Sequence, residues 1–272
     1  MNVVQAVVLG VVEGLTEFLP VSSTGHLLIS EHLMGLSGKE NKDSLIGFTA
    51  VIQTGAIFAA VLYFFREILT VVGDFTSGLV SAGKRQTDGF RYALAVGIGS
   101  LPIIVVGFAA KDAIKSIDEH LLAVALGLIL FSAVFVVAER RATLARHKGD
   151  MVPMDGLLVG LAQCVALVPG VSRSGASISA GLLRGLDRVA ATRFSFLIGI
   201  PALLGAGVLG LGDASKNTVG TTNTAIATVV SFVVGYASIA FLLRLVASHR
   251  ISAFVPYRLV VGVGVLIGVA VS

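Results

Sequence analysis

Two short stretches gather the residues that can do chemistry. The first reads Glu13-Gly-Leu-Thr-Glu17-Phe-Leu-Pro-Val-Ser22-Ser23-Thr24-Gly25-His26. Glu13 and Glu17 are four residues apart, so on a helix they share one face. Each bare charge costs about 2.5–3.5 kcal/mol at membrane depth, and the two repel. A divalent cation relieves both penalties, and a carboxylate pair suits Mg²⁺ or Ca²⁺ shared with phosphate oxygens. A solvated helix end is the plainer alternative. Pro20 ends that helix, and Ser22, Ser23 and Thr24 are capping residues for the next one, whose free N–H groups would attract an anion. His26 stands three residues after Ser23, on the same face of such a helix, where an imidazole can take a hydroxyl proton. The second stretch reads Pro169-Gly170-Val-Ser172-Arg173-Ser174-Gly175-Ala-Ser177. An Arg fork matches phosphate oxygens in pairs, glycines admit close backbone approach, and hydroxyls complete a phosphate cradle. A structural pair between Arg173 and Glu13 or Glu17 is the competing use, and the two uses are compatible.

The elements that must position these residues are set by composition. The chain has 272 residues, 55% hydrophobic and 13% charged, with a mean hydropathy of +0.93. Soluble domains carry about 25% charged residues, so lipid is the solvent this chain implies. Six apolar runs reach or approach the length of a bilayer span, at 45–65, 91–110, 120–138, 193–211, 223–244 and 256–271. Residues 1–35 and 153–185 are apolar but interrupted by Gly, Pro, Ser and charge, and their pieces Val3–Val12, Leu27–Leu36, Gly156–Val168 and Ile178–Leu186 are too short to span. Such segments enter and leave on one side, and they are tolerated where protein buries them or a polar cavity adjoins them.

The interrupted regions match each other at an offset of 150: Gly10 with Gly160, Glu13 with Gln163, Val21-Ser22 with Val171-Ser172, Thr24-Gly25 with Ser174-Gly175. Each precedes three apolar runs. The expected fold is therefore an all-α polytopic membrane protein forming one integral domain over 1–272. It has two repeats, 1–145 and 150–272, six transmembrane helices and two re-entrant hairpins. With both hairpins re-entrant, the loops at 66–91, 139–152, 184–193 and 244–258 share a side and hold 14 Lys and Arg. Those at 36–44, 111–119 and 212–222 hold 5. The positive-inside rule places the 14 in the cytoplasm, which inverts one repeat relative to the other and brings the hairpin tips together near mid-membrane.

The net charge of +4 is accounted for by those loops rather than by nucleic acid, and no nucleic-acid partner is expected. The single cysteine, Cys164, excludes an intramolecular disulfide. The first apolar stretch lacks a basic leader and carries two glutamates, so no cleaved signal is expected. With no Trp, Tyr63, Tyr92 and Tyr257 are the expected interface anchors. Gln53 and Gln163 sit inside apolar runs, lining a cavity or bonding neighbouring helices. Pro102 and Pro201 are expected to kink spans. Arg184, Arg188, Arg193 and the charges from Glu139 to Lys148 read as cytoplasmic. Ala206 and Gly210 are spaced for close helix packing, within one molecule or in a homodimer. Neither a nucleotide-binding glycine loop nor a zinc motif is present.

Together, the two stretches closely resemble the signature motifs of the undecaprenyl-diphosphatase family associated with bacitracin resistance, and the resemblance extends along the chain through Phe48–Gly55 and Ala190–Pro201. It implies hydrolysis of undecaprenyl diphosphate to undecaprenyl phosphate and inorganic phosphate in the bacterial plasma membrane, with a site open to the outer face. It also implies divalent-metal dependence, inverted repeats, and functional positions at Glu13, Glu17, Ser23, His26 and Arg173 with the hydroxyls around Arg173. Ser177 stands where that family commonly has Thr. The expected substrate contacts are Ser22, Thr24, Gly170, Ser172, Ser174, Gly175, Ser177 and Gln53, with the metal on Glu13 and Glu17. The attacking group is Ser23, His26 or water. Two alternatives use similar residues: a flippase of polyprenyl phosphate lipids, since inverted repeats with broken helices also build transporters, and the lipid phosphatases with a Pro-Ser-Gly-His motif, whose basic motif has no counterpart here.

Overall fold

The computed structural model describes residues 1–36, 38, 42–110, 120–214 and 217–271. It is helical, with no strand among the described residues. The helices are α1 (Val3–Thr16), α2 (Ser23–Leu33), α3 (Lys42–Tyr63), α4 (Phe65–Val80), α5 (Asp88–Ala109), α6 (Leu121–Arg141), α7 (Pro153–Cys164), α8 (Arg173–Leu183), α9 (Arg188–Ala214), α10 (Thr221–Ser248) and α11 (Val255–Val271). Six segments among the described residues are long and apolar enough to cross a bilayer: Asp43–Tyr63, Asp88–Ala109, Leu121–Arg141, Arg188–Val208, Thr221–Ser248 and Ile251–Val271. These are the six runs expected from sequence, and the chain is a multi-pass membrane protein. The expected loop at 111–119 lies outside the described residues.

The interrupted regions are built alike. Asn2 caps α1 through a reciprocal pair with Gln5, at 2.8 and 2.9 Å. Pro153 opens α7, where a missing N–H costs nothing. Both helices stop well short of a span, at Thr16 and Cys164. Each then turns through a serine in the left-handed region, Ser22 and Ser172, both at φ 78°. A short helix follows each serine. This backbone conformation is uncommon outside glycine, and it recurs 150 residues apart, at the offset where the two regions match in sequence.

The short helices pack across the halves of the chain. α1 lies on α10, with Gly10 against the Ala227 carbonyl and Gly14 against Ser231 and Gly235. α7 lies on α5, with Gly156 against the Ala95 carbonyl and Gly160 against Gly99. α3 packs on α9 and α10, and α6 on α11. Small residues permit this backbone approach, as they do where lipid supplies no hydrophobic drive between helices. A Cβ on Gly156 would lie 2.2 Å from the Ala95 oxygen, a backbone atom that has no rotamer to change. Gly156→Val should therefore destabilise the protein by about 1–3 kcal/mol. The check is its unfolding midpoint in detergent beside that of Gly73→Val, whose Cβ meets nothing within 4 Å.

Three expectations change. Residues 66–91 are not a simple loop: α4 occupies most of that stretch, because Phe65, Leu69, Val72 and Leu79 recur at helical spacing and form one apolar face. Tyr92 is not an interface anchor but is 3% exposed, packed on Phe194 beneath the Lys148 ammonium. Arg146, Lys148, Arg184, Arg188 and Arg193, near the span ends, are paired rather than merely solvated. Asp155, fully buried, takes Arg146 at 2.6 Å and Arg184 at 2.8 Å. Arg188 grips both Glu139 oxygens, and Glu67 holds Lys148 and Arg193.

Candidate active site

The turns after α1 and α7 meet. The Ser22 hydroxyl accepts from the Gly170 N–H at 3.1 Å, a bond between residues 148 apart in sequence. Glu17, at the end of α1, joins the two sides a second time. Its Oε2 accepts from the Ser23 hydroxyl at 2.6 Å, and its Oε1 accepts from Arg173 Nη2 at 3.2 Å. Glu17 is 7% exposed and Glu13, one turn earlier, 1%. Glu13 Oε1 and Arg173 Nη1 are both buried without a hydrogen-bond partner among the described residues. An unpaired carboxylate oxygen and an unpaired guanidinium nitrogen are expensive in a protein interior unless a ligand completes them.

Space for the guanidinium comes from α9. A Cβ on Gly199 would lie 1.5 Å from Arg173 Nη1. Gly199→Ala should push the fork out of line and lower turnover about 100-fold, the cost of misplacing a reacting group by about 1 Å. Its melting midpoint should stay near wild type, since the side chain that yields is the flexible one; parallel activity and unfolding measurements test this.

The remaining hydroxyls cap and brace the start of α8. Ser172 caps α8, accepting from the Gly175 N–H at 3.3 Å, and lies 3.2 Å from the Ser174 hydroxyl. Ser177 is fully buried; it donates to the Arg173 carbonyl at 2.7 Å and meets Ser195 on α9, so it braces the backbone beneath Arg173. His26 does not reach Ser23. Its Nδ1–H donates to the Ser22 carbonyl at 2.8 Å, which leaves Nε2 of the neutral ring to accept from the Tyr257 hydroxyl at 2.7 Å. The two rings stack, with centroids 5.6 Å apart. The hydroxyl-acceptor pair suggested by Ser23 and His26 is thus formed by Ser23 and Glu17. Thr24 is exposed, and Gln53, half-buried on α3, has no hydrogen bond to the other site residues among the described residues. Gln163, the counterpart of Glu13, is fully buried with both amide atoms unpartnered.

Sequence reasoning assigned Arg258 to a cytoplasmic loop; the structure buries it completely. Its Nη1 donates to the Pro20 carbonyl at 2.9 Å, and its Nη2 to the Gly170 carbonyl at 2.9 Å and to Gly127 and Val171 at 3.3 Å. Its Nε meets the Ser132 hydroxyl at 3.2 Å, and the fork lies 4.7 Å over the Phe135 ring. One cation therefore ties both turns together. The signal was a charge within residues that otherwise read as apolar span. Removing Arg258 from the loop tally leaves the sign of the charge asymmetry unchanged. Tyr257, expected as an interface anchor, is half-exposed and serves His26.

Among the described residues no three His, Cys, Asp or Glu gather as a metal site. Glu13 and Glu17 instead fit a divalent cation whose remaining ligands are substrate phosphate and water, the usual arrangement for Mg²⁺; the unpartnered Glu13 oxygen is what such an ion would engage.

Comparison with known proteins identifies relatives over nearly the whole chain. A family model described as bacitracin resistance protein BacA matches residues 6–264. The chain is 51% identical to an undecaprenyl-diphosphatase of Acidothermus cellulolyticus, over 98% of this chain and 96% of that one. It is 48% identical to undecaprenyl-diphosphatase 3 of Frankia casuarinae, over 99% and 98%, and 49% identical to undecaprenyl-diphosphatase 1 of Streptomyces avermitilis, over 97% and 95%. The family match over residues 6–264, together with these identities, shows that the chain belongs to the bacitracin resistance protein BacA family.

Proposed function

We propose that this chain hydrolyses undecaprenyl diphosphate to undecaprenyl phosphate and inorganic phosphate, returning the carrier lipid to cell-wall synthesis and thereby conferring bacitracin resistance. The observation that carries the reading is the Glu17–Arg173 contact between the two turns, flanked by an unpartnered oxygen of Glu13 and an unpartnered nitrogen of Arg173. Phosphoryl transfer needs little from a protein beyond positioning and charge, and these groups supply both. Arg173 takes the diphosphate oxygens with its fork, helped by Ser172, Ser174 and the N–H groups at the start of α8. Glu13 and Glu17 would hold a divalent cation, which would supply positive charge to offset that of the phosphates. Ser23 attacks the terminal phosphorus as its proton passes to Glu17, the anhydride P–O bond breaks, and undecaprenyl phosphate leaves; water then releases phosphate from the serine. His26, with both ring nitrogens engaged, holds the Ser22 turn. Failure to trap phosphate on Ser23 under rapid quench, in protein that turns over normally, would transfer the attack to water.

The two interrupted regions are re-entrant hairpins of inverted repeats, a reading supported by the shared serine turn and by the exchange of α1 and α7 between halves. The protein sits in the bacterial plasma membrane, its site open to the outer face. Phosphate release from a C55 diphosphate by purified protein should fall at least tenfold on chelation and return with Mg²⁺ or Ca²⁺. No release from folded protein with either ion would sink the hydrolase, and lipid movement without release would install the flippase.

A further inference from the structure

Away from the reaction site, at the end of the spans that gathers most of the basic residues, lies a cavity of about 410 Å³ lined by Arg66, Glu67, Thr70, Lys148 and Arg193. Three cations face one carboxylate. Lys148 Nζ reaches Glu67 at 2.7 Å and Arg193 Nη1 reaches it at 2.8 Å, so Glu67 is shared, and Arg66 makes no ion pair among the described residues. Two cations are also seated on rings: Lys148 lies 4.5 Å over Tyr92 and Arg193 lies 5.9 Å over Phe64. Lys148 and Arg193 are therefore held in place around the cavity, and the lining carries an excess of positive charge.

The adjoining surface is apolar. From the cavity runs α4, whose Phe65, Leu69, Val72 and Leu79 stand exposed along one face. A helix with such a face lies in the membrane interface with its apolar side toward the acyl chains. Cationic cavity and apolar stripe thus meet at the N-terminal end of α4, where free N–H groups also favour an anion.

We propose that this cavity binds the phosphodiester headgroup of an anionic phospholipid, with the acyl chains lying along α4. The arrangement has the two parts that such recognition needs, clustered basic side chains between helices on the cytoplasmic side and an apolar surface beside them. A free phosphate would use the cations but not the stripe. The site is independent of the hydrolytic reading.

The test is native mass spectrometry of the purified protein with phosphatidylglycerol, phosphatidylcholine of the same chain length, and inorganic phosphate. Phosphatidylglycerol should remain bound and phosphatidylcholine should not. Affinity should fall about fivefold for each cation removed, in Arg66→Gln and in Arg66→Gln/Lys148→Gln, whereas Arg66→Lys should bind as wild type does. Equal retention of both lipids, or unchanged phosphatidylglycerol binding in the double variant, would overturn the proposal. Displacement of phosphatidylglycerol by equimolar phosphate would overturn the lipid assignment in favour of a phosphate site. Should the double variant lose its fold, Arg66→Gln alone decides, because its side chain carries no ion pair to break.

Discussion

Arg173→Lys should lower kcat for phosphate release by about 100- to 1000-fold while leaving the protein folded. Lysine keeps the positive charge that faces Glu17, so the buried carboxylate retains a counter-ion. What it loses is the fork. In Arg173 one terminal nitrogen already serves Glu17 and the other is free of partner; that division lets one side chain hold the site together and meet phosphate at once. A single ammonium group at the end of a flexible stem cannot do both with fixed geometry. Loss of one donor aimed at developing charge costs about 2.7–4 kcal/mol in enzymes where it has been removed, which is the stated factor in kcat. The measurement pairs phosphate release with thermal unfolding in the same detergent. Near-normal turnover by Arg173→Lys would make the contact with Glu17 an ordinary structural ion pair and remove the phosphate role.

The second large effect is expected at Arg258. Arg258→Met keeps much of the volume and deletes every donor. Carbonyl groups of Pro20, Gly127, Gly170 and Val171 then lose a shared partner in a buried place. An unsatisfied buried acceptor costs about 1–3 kcal/mol. Against this, methionine has no charge to desolvate, which returns part of the loss. Among these terms the unpaired carbonyls prevail, because those of Pro20, Gly170 and Val171 belong to turns that cannot rearrange without breaking the Ser22–Gly170 bond. A net destabilisation of about 3–5 kcal/mol follows, together with loss of turnover as the turns separate. Arg258→Lys, with charge but a narrower reach, should fall between. The test is unfolding midpoint and activity for both variants; methionine performing as well as arginine would show that the turns hold each other without this tether.

How much of this was readable from sequence depends on what each feature rests on. The spans were readable because a run of about twenty apolar residues has one use in lipid. The meeting of Glu17 and Arg173 was readable because charges in apolar stretches demand a partner. α4 was not, since the topology count weighed only Lys and Arg and passed over the helical spacing of Phe65, Leu69 and Val72. Arg258 was misread because it follows Arg250 closely and counted as loop charge. The partner of Ser23 stays open on spacing alone: a shared helix face says that two side chains can meet, while the competing Ser22 carbonyl and Tyr257 hydroxyl decide where His26 goes. Gly199 had no signal at all, as the reason for it is an arginine on another helix.

The tether at Arg258 also fixes when the site comes into being. A ribosome makes the turn at Ser22 before the turn at Ser172 and both before residue 258, so every group in the proposed chemistry exists before Arg258 is added. Until then the two turns have only their mutual contacts, and His26 lacks the Tyr257 hydroxyl. Completion of the site is thus a late event in biosynthesis, coincident with insertion of α11. A nascent chain stalled or cut before that helix would carry its full set of reactive side chains into the membrane without the clamp that aligns them.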